Sequence, residues 1–144
     1  MTDQIQIRTC TEQDIPGLLA LWAQAAASHA YPDTAAAVAV RLQRDPDLFV
    51  VAIDPTSNAI VGSLMGAWDG WRGTMYRMAI VSELRRNGLA TRLVHEVERR
   101  MATIGVSRVH ASVVTDSPGA PGFRAAMGYA PQRTNADYAK TLGK

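Results

Sequence analysis

The densest chemistry in this chain lies at Arg85-Arg86-Asn87-Gly88. Two guanidinium groups, a carboxamide and a glycine fall where a β-rich apolar stretch gives way to helical spacing. A glycine at such a junction lets the backbone turn sharply and lets a ligand approach without a Cβ in the way. The first turn of the following helix supplies N–H groups with no intrahelical acceptor and the positive end of the helix dipole. With Arg85 and Arg86 nearby, this is a site for an anion held mainly by main chain, and a phosphate-bearing ligand fits it. Other chemistries lack their residues. There is no G-x-x-x-x-G-K-[ST] loop and no G-x-S-x-G elbow around Ser63. His29, His95 and His110 have no metal-ligand spacing with Cys10, so no metal is expected. The G-x-G-x-x-G of a dinucleotide fold is missing near Gly88.

The elements that must position this stretch emerge from periodicity. Ile5 and Ile7 alternate with polar residues and predict a strand ending near Cys10. Thr11-Glu12-Gln13-Asp14 reads as a capping box with Asp for Glu, opening a helix through Leu18, Leu19, Leu21 and Trp22. Asp33 or Thr34 caps a second, alanine-rich helix that stops before Asp45-Pro46. Residues 48–53 and 59–68 predict a hairpin across the turn cluster at 54–58. Asp69-Gly70 centres another turn, and residues 74–81 form the strand that runs into the arginines. The helix after Gly88 places Leu89, Leu93, Val97, Met101 and Ile104 near one face. Glu96 with Arg99 and Arg100 forms pairs elsewhere on the helix, and Gly105 is its left-handed terminator. A strand at 108–114, a short helix after Ser117-Pro118 and a C-terminal hairpin ending in 138–142 complete the order β-αα-βββ-α-β-α-ββ. That order predicts an α/β (α+β) mixed sheet with helices on both faces and a right-handed parallel crossover from 74 to 114.

The chain has 144 residues, 47% hydrophobic and 19% charged, which suits one globular domain spanning 1–144. No apolar run reaches the roughly 20 residues that span a bilayer, and the first residues lack a signal-peptide core, so no membrane partner is expected. The single Cys10 fits a reducing, cytoplasmic setting. A net charge of +2 gives no footing for nucleic acid as a partner.

In this order of elements the chain resembles the GNAT family, the GCN5-related N-acetyltransferases, in its small stand-alone bacterial form. The family's acetyl-CoA motif is Q/R-x-x-G-x-G/A after a strand, and Arg85-Arg86-Asn87-Gly88-Leu89-Ala90 matches each fixed position. Met78, Ala79 and Ile80 supply the strand. The resemblance implies the GNAT fold, a mostly antiparallel sheet with one splayed parallel strand pair. It also implies that main-chain groups from Arg86 through Gly88, Leu89 and Ala90 to Thr91 cradle the coenzyme A pyrophosphate. The edge at Met78, Ala79 and Ile80 would pair with the pantetheine arm, and the Ile80 N–H would face the thioester oxygen.

The family's second signature, N-x-x-A-x-x-F-Y-x-x-x-G-F, aligns on Gly128-Tyr129 and places Ser117, Ala120, Phe123 and Arg124 in the cofactor region. Ser117 stands for the Asn and keeps hydrogen-bonding capacity. Arg124 stands for the Tyr that often protonates the thiolate. A guanidinium stays charged at working pH and is a poor acid, though it can stabilise a thiolate. For the acceptor amine, Tyr76 sits two residues before Met78 and by strand alternation shares its face. It is a candidate for substrate binding or a proton relay, with packing as the plainer role. His110 and Glu83 are the other candidate bases. Tyr31, Trp68 and Trp71 are candidate walls of an acceptor pocket, and the two tryptophans equally suit a homodimer contact. Trp22, among leucines, reads as core, and Asp69 as a turn residue.

The implied reaction is transfer of acetyl from acetyl-CoA, the co-substrate, to a primary amine of a small molecule, less readily of a protein. A coenzyme A-binding sensor or interaction module with little catalysis is the reading that competes with it, because of Arg124.

Overall fold

A computed structural model of the chain describes residues 4–25, 34–85, 87–111, 127–130, 138–140 and 142. Its contacts gather into two compact units, Met1–Ser112 and Val113–Lys144. In the first, five strands form one sheet in chain order: β1 (Gln6–Thr9), β2 (Phe49–Ile53), β3 (Ile60–Trp68), β4 (Gly73–Ile80) and β5 (Val109–Ala111). Neighbours are antiparallel except β4 and β5, which run parallel. The helices are α1 (Ile15–Gln24), α2 (Ala35–Arg44) and α3 (Leu89–Thr103). This is the mixed architecture that the element order predicts.

Local chemistry explains the boundaries. The expected capping box forms between Thr11 and Asp14, the Thr11 N–H donating to Asp14 Oδ2 at 2.8 Å, and Arg8 grips the same carboxylate through two bonds of 2.7 and 2.9 Å. A single 3-10 turn at Glu12–Asp14 precedes α1. Thr34 caps α2, its Oγ accepting from the Ala37 N–H at 3.1 Å. Asp45 ends that helix and ties it to the sheet by accepting from Arg41 and from the Trp68 N–H.

The sheet separates two apolar layers. On one side α1 and α2 bring Leu18, Leu21, Trp22, Val38 and Leu42 against Phe49, Val51, Met65 and Ala79. On the other, Leu89, Leu93, Val97 and Met101 of α3 are completely buried. Gly66 permits that layer to close. A Cβ there would lie 2.9 Å from the Leu48 carbonyl oxygen and 3.0 Å from a Val97 methyl. Ile104 departs from the expected stripe and is half exposed, because the helix ends at Thr103 and Gly105 then turns left-handed at φ +93°.

In the second unit Gly128 has φ +88°, the left-handed turn expected after a helix, while the expected helix itself lies outside the described residues. Residues 138–140 and Leu142 are in no strand, which corrects the expected final hairpin arm. Tyr138 and Leu142 are both exposed, so the alternation there covers no core.

Candidate active site

The arginine-glycine stretch takes the form that its residues require. β4 stops at Ile80, a 3-10 turn follows at Ser82–Leu84, and Gly88 adopts φ +83°, ψ 0° as the N-cap of α3. The first helical bond runs from the Arg92 N–H to the Gly88 carbonyl at 3.1 Å. The N–H groups of Leu89, Ala90 and Thr91 thus precede the helix ladder and point out of its start. Among the described residues, an added Cβ on Gly88 meets no atom within 4 Å. Leu89 contributes its backbone only, its side chain being buried under the sheet. Asn87 is exposed, and Ala90 and Thr91 are half-buried.

Arg85 folds back on the strand, donating from Nε to the Ile80 carbonyl at 3.1 Å. That bond reveals the orientation of Ile80. The Val81 N–H donates to the Val61 carbonyl at 3.0 Å, making those residues a hydrogen-bonded pair. Pairs alternate along an antiparallel ladder, so Ile80, opposite Gly62, turns its N–H and C=O away from β3. Both groups face the outer edge of β4. Among the described residues, β5 pairs with that edge only at Gly73, Thr74 and Met75.

Within β4 lies a feature that alternation does not anticipate. Ser63 pairs with Ala79 but Met65 with Tyr76, two steps on β3 against three on β4. The extra residue is a β-bulge, and Arg77 occupies it with φ +59°. A non-glycine residue in that conformation costs about 1–2 kcal/mol. The bulge corrects the expectation that Tyr76 and Met78 share a face. Tyr76 packs on the same α1/α2 layer that contains Ala79, which leaves Met78, next to Ala79, facing the other way. Tyr76 is half-buried there.

Two buried residues meet the bulge. Trp22 Nε1 donates to Ser63 Oγ at 3.0 Å, and Ser63 Oγ lies 3.2 Å from the Arg77 carbonyl. The Arg77 guanidinium sits 4.4 Å above the centre of the Trp22 ring, whose other neighbour is Phe49 at 6.5 Å between centroids. Sequence reasoning treated Trp22 as plain core and passed over Ser63 and Arg77. The available signal was Ser63 itself, a lone hydroxyl in the middle of Val-Gly-Ser-Leu-Met.

The remaining candidates divide. Glu83 is exposed and accepts from the Ser82 hydroxyl at 3.3 Å. His110 pairs with Thr74 across the parallel ladder, and its buried Nδ1 has no hydrogen-bond partner among the described residues. Asp69 is a turn residue, accepting from the Trp71 and Arg72 N–H groups at 2.8 Å each. These bonds, Arg72's first, hold its carboxyl below the usual range. Trp71 is 90% exposed beside it, and Trp68 is half-buried at the end of β3. Tyr31, Arg86, Ser117, Ala120, Phe123 and Arg124 lie outside the described residues. Cys10 is buried, and burial pushes its thiol up to about 12.

Residues 17–129 match the family model described as the Acetyltransferase (GNAT) family. The chain belongs to the GNAT family. An acetyltransferase of Pectobacterium atrosepticum is 29% identical over 125 residues, covering 87% of each chain. Among solved structures, Ard1 from Thermoplasma volcanium superimposes with a TM-score of 0.77 at 20% identity, over 88% of this chain and 83% of that one. A glucosamine-6-phosphate N-acetyltransferase from Arabidopsis thaliana gives 0.71 at 18% identity, over 96% and 99%. These likenesses establish the GNAT fold, and family and relatives together make the chain an acyltransferase of the N-acetyltransferase type. GNAT enzymes use acetyl-CoA. No helix among the described residues is long and apolar enough to cross a membrane.

Proposed function

We propose that residues 1–144 act as one cytoplasmic domain that transfers acetyl from acetyl-CoA to a primary amine of a small molecule, by direct attack in a ternary complex. The observation that carries this reading is the pairing of two donor sets in one stretch. Main-chain N–H groups stand at the start of α3, and the Ile80 N–H faces the outer edge of β4, separated only by the Arg85 turn. The first set takes the pyrophosphate of coenzyme A. The second lies along the pantetheine arm, which adds to β4 as an extra strand.

In this mechanism a neutral amine attacks the thioester carbonyl and forms the C–N bond. The carbonyl oxygen gains negative charge and accepts a hydrogen bond from the Ile80 N–H. Collapse of the intermediate breaks the C–S bond and expels coenzyme A as its thiolate. The proton lost from the ammonium passes to water, with Tyr76 as the neighbouring hydroxyl, and the thiolate takes a proton from solvent. Holding both substrates in one cleft removes much of the entropic cost. Preference for a small acceptor draws support from the structural neighbour that acts on a sugar phosphate and from the exposed Trp71 beside half-buried Trp68, which suit an amphipathic molecule.

Calorimetric titration with acetyl-CoA tests the donor. A thiol-release screen over simple amines, polyamines, aminoglycosides and peptide N-termini tests the acceptor. Binding with turnover on a small amine is the expected result. Binding with turnover only on peptides moves the acceptor to proteins, and binding without turnover on any amine favours a coenzyme A sensor. A chain that binds no coenzyme A refutes the proposal.

A further inference from the structure

We propose that Trp22 and Ser63 are positioning residues for acetyl transfer: they clamp the left-handed bulge at Arg77 and thereby select Ile80 as the residue that turns its N–H to the outer edge of β4. The inference rests on the reading of that edge as the acetyl-CoA site.

The direction of the clamp is fixed by chemistry. An indole N–H can only donate, so Ser63 Oγ must accept from Trp22 at 3.0 Å. The single hydroxyl proton of Ser63 is then free to go to the Arg77 carbonyl at 3.2 Å. Both side chains are buried, Ser63 completely, where unmade polar bonds are costly and made ones strongly orienting. The Trp22 ring also carries the Arg77 guanidinium at 4.4 Å. One tryptophan therefore holds the bulged residue at both its backbone, through Ser63, and its side chain.

The bulge matters because strand polarity has a period of two. With the extra residue in place, Val81 pairs with Val61 and Ile80 faces outward. If the bulge relaxes into regular strand, β4 slips by one residue against β3 beyond it, and each peptide there reverses. Ile80 then donates into β3, and Val81 turns outward. The site keeps its helix start and loses its aimed thioester donor. Trp22 and Ser63 thus act on the reaction through β4, without touching substrate.

The test uses the full chain and three variants: Trp22→Phe, which keeps the ring and deletes the donor; Ser63→Ala, which breaks the relay; and Ser63→Thr, which keeps a hydroxyl. Amide hydrogen exchange of the ligand-free protein reads the register directly. Trp22→Phe and Ser63→Ala should lower protection of the Val81 amide at least tenfold relative to amides of β2, and Ser63→Thr should restore it. With acetyl-CoA and the fastest amine of the screen, kcat should fall about 10- to 100-fold, a part of what loss of an oxyanion donor costs. The Kd for coenzyme A, measured by calorimetry, should rise by less than kcat falls, because the donors at the start of α3 stay in place while only the pairing along β4 is disturbed. Because the two residues act as one unit, the double variant Trp22→Phe/Ser63→Ala should be no slower than the slower single. Unchanged Val81 protection in the folded variants overturns the clamp, whether or not an acceptor is found. Equal losses in kcat and coenzyme A affinity overturn it too, since they mark a merely structural role. A wild-type chain that binds no coenzyme A while its variants show the exchange change sinks the functional reading and leaves the clamp standing.

Discussion

Replacing Gly88 by alanine separates the cost of backbone strain from the cost of blocking a ligand. The residue sits at φ +83°, where a Cβ costs about 1–2 kcal/mol. No atom of the described residues within 4 Å adds a steric penalty, so the free protein should lose about that amount. At about 4 °C per kcal/mol for a chain of this size, the melting temperature should fall by about 4–8 °C. Ligand binding should suffer more, because the new methyl occupies the approach to the α3 N–H groups. Loss of one or two charge-assisted bonds, about 3 kcal/mol, weakens the Kd for acetyl-CoA roughly 100-fold. At a ligand concentration of 100 times the wild-type Kd, wild-type protein gains about 2.7 kcal/mol and the variant about 0.4 kcal/mol. Thermal scanning with and without acetyl-CoA should therefore show an upward shift of about 10 °C for wild type and under about 2 °C for Gly88→Ala. Gly66→Ala is the control. Its Cβ would press 2.9 Å from the Leu48 oxygen, so it should melt earlier and still keep the full ligand shift. A Gly88→Ala protein that retains the wild-type shift would refute the phosphate cradle.

Asp14→Ala should remove the Arg8 pair and the bond to the Thr11 N–H, lowering stability by about 2 kcal/mol in urea titration at pH 6. Hydrogen bonding from Arg8 holds the Asp14 carboxyl below its ordinary 3.8, so this stabilisation is complete above 3.8 and fades as pH falls through the lower folded value. The gap between wild type and variant should therefore narrow at pH 2. Cys10, pushed up to about 12 by burial, should resist disulfide reagents at pH 8 in the native protein and react once unfolded in urea. Its contribution to stability is complete below its ordinary 9.0 and declines as pH rises toward 12, so Cys10→Ala should flatten the alkaline loss. Trp71→Ala should leave stability within about 0.5 kcal/mol, since the side chain is 90% exposed. It should raise KM for the amine without changing acetyl-CoA affinity, and an unchanged KM would remove Trp71 from the acceptor pocket.

Periodicity and local chemistry made most of the fold legible in the sequence. Leu89, Leu93, Val97 and Met101 announced the buried face of α3, and Gly88 and Gly105 its two ends. The start of that helix was legible because a glycine with neighbouring arginines has few other uses at a strand–helix junction. The outward turn of the Ile80 N–H was expected only through family resemblance, and the Val81–Val61 bond now supplies its geometric ground. The bulge was invisible. Arg77 carries no local preference for φ +59°, and its conformation depends on Trp22, 55 positions earlier, and on Ser63 in the neighbouring strand. Alternation therefore misassigned Tyr76 relative to Met78. Ile104 failed for another reason: helical spacing continues on paper past the residue where the backbone turns.

The arginines of α3 have a consequence for the chain's beginning. Arg92 donates to the Ile5 carbonyl at 2.8 Å, and Arg100 reaches Thr9 Oγ1 at 2.7 Å and the Asp47 carbonyl at 2.9 Å. The helix that opens the proposed phosphate site is thus fastened along its length to the first strand and the residue before it, at the far edge of the sheet from β5. Trimming the first nine residues would remove two of those moorings without touching a ligand-binding atom. Such a protein should bind its co-substrate less tightly because the helix start drifts, so a distant edge strand acts as a tuning peg for the site.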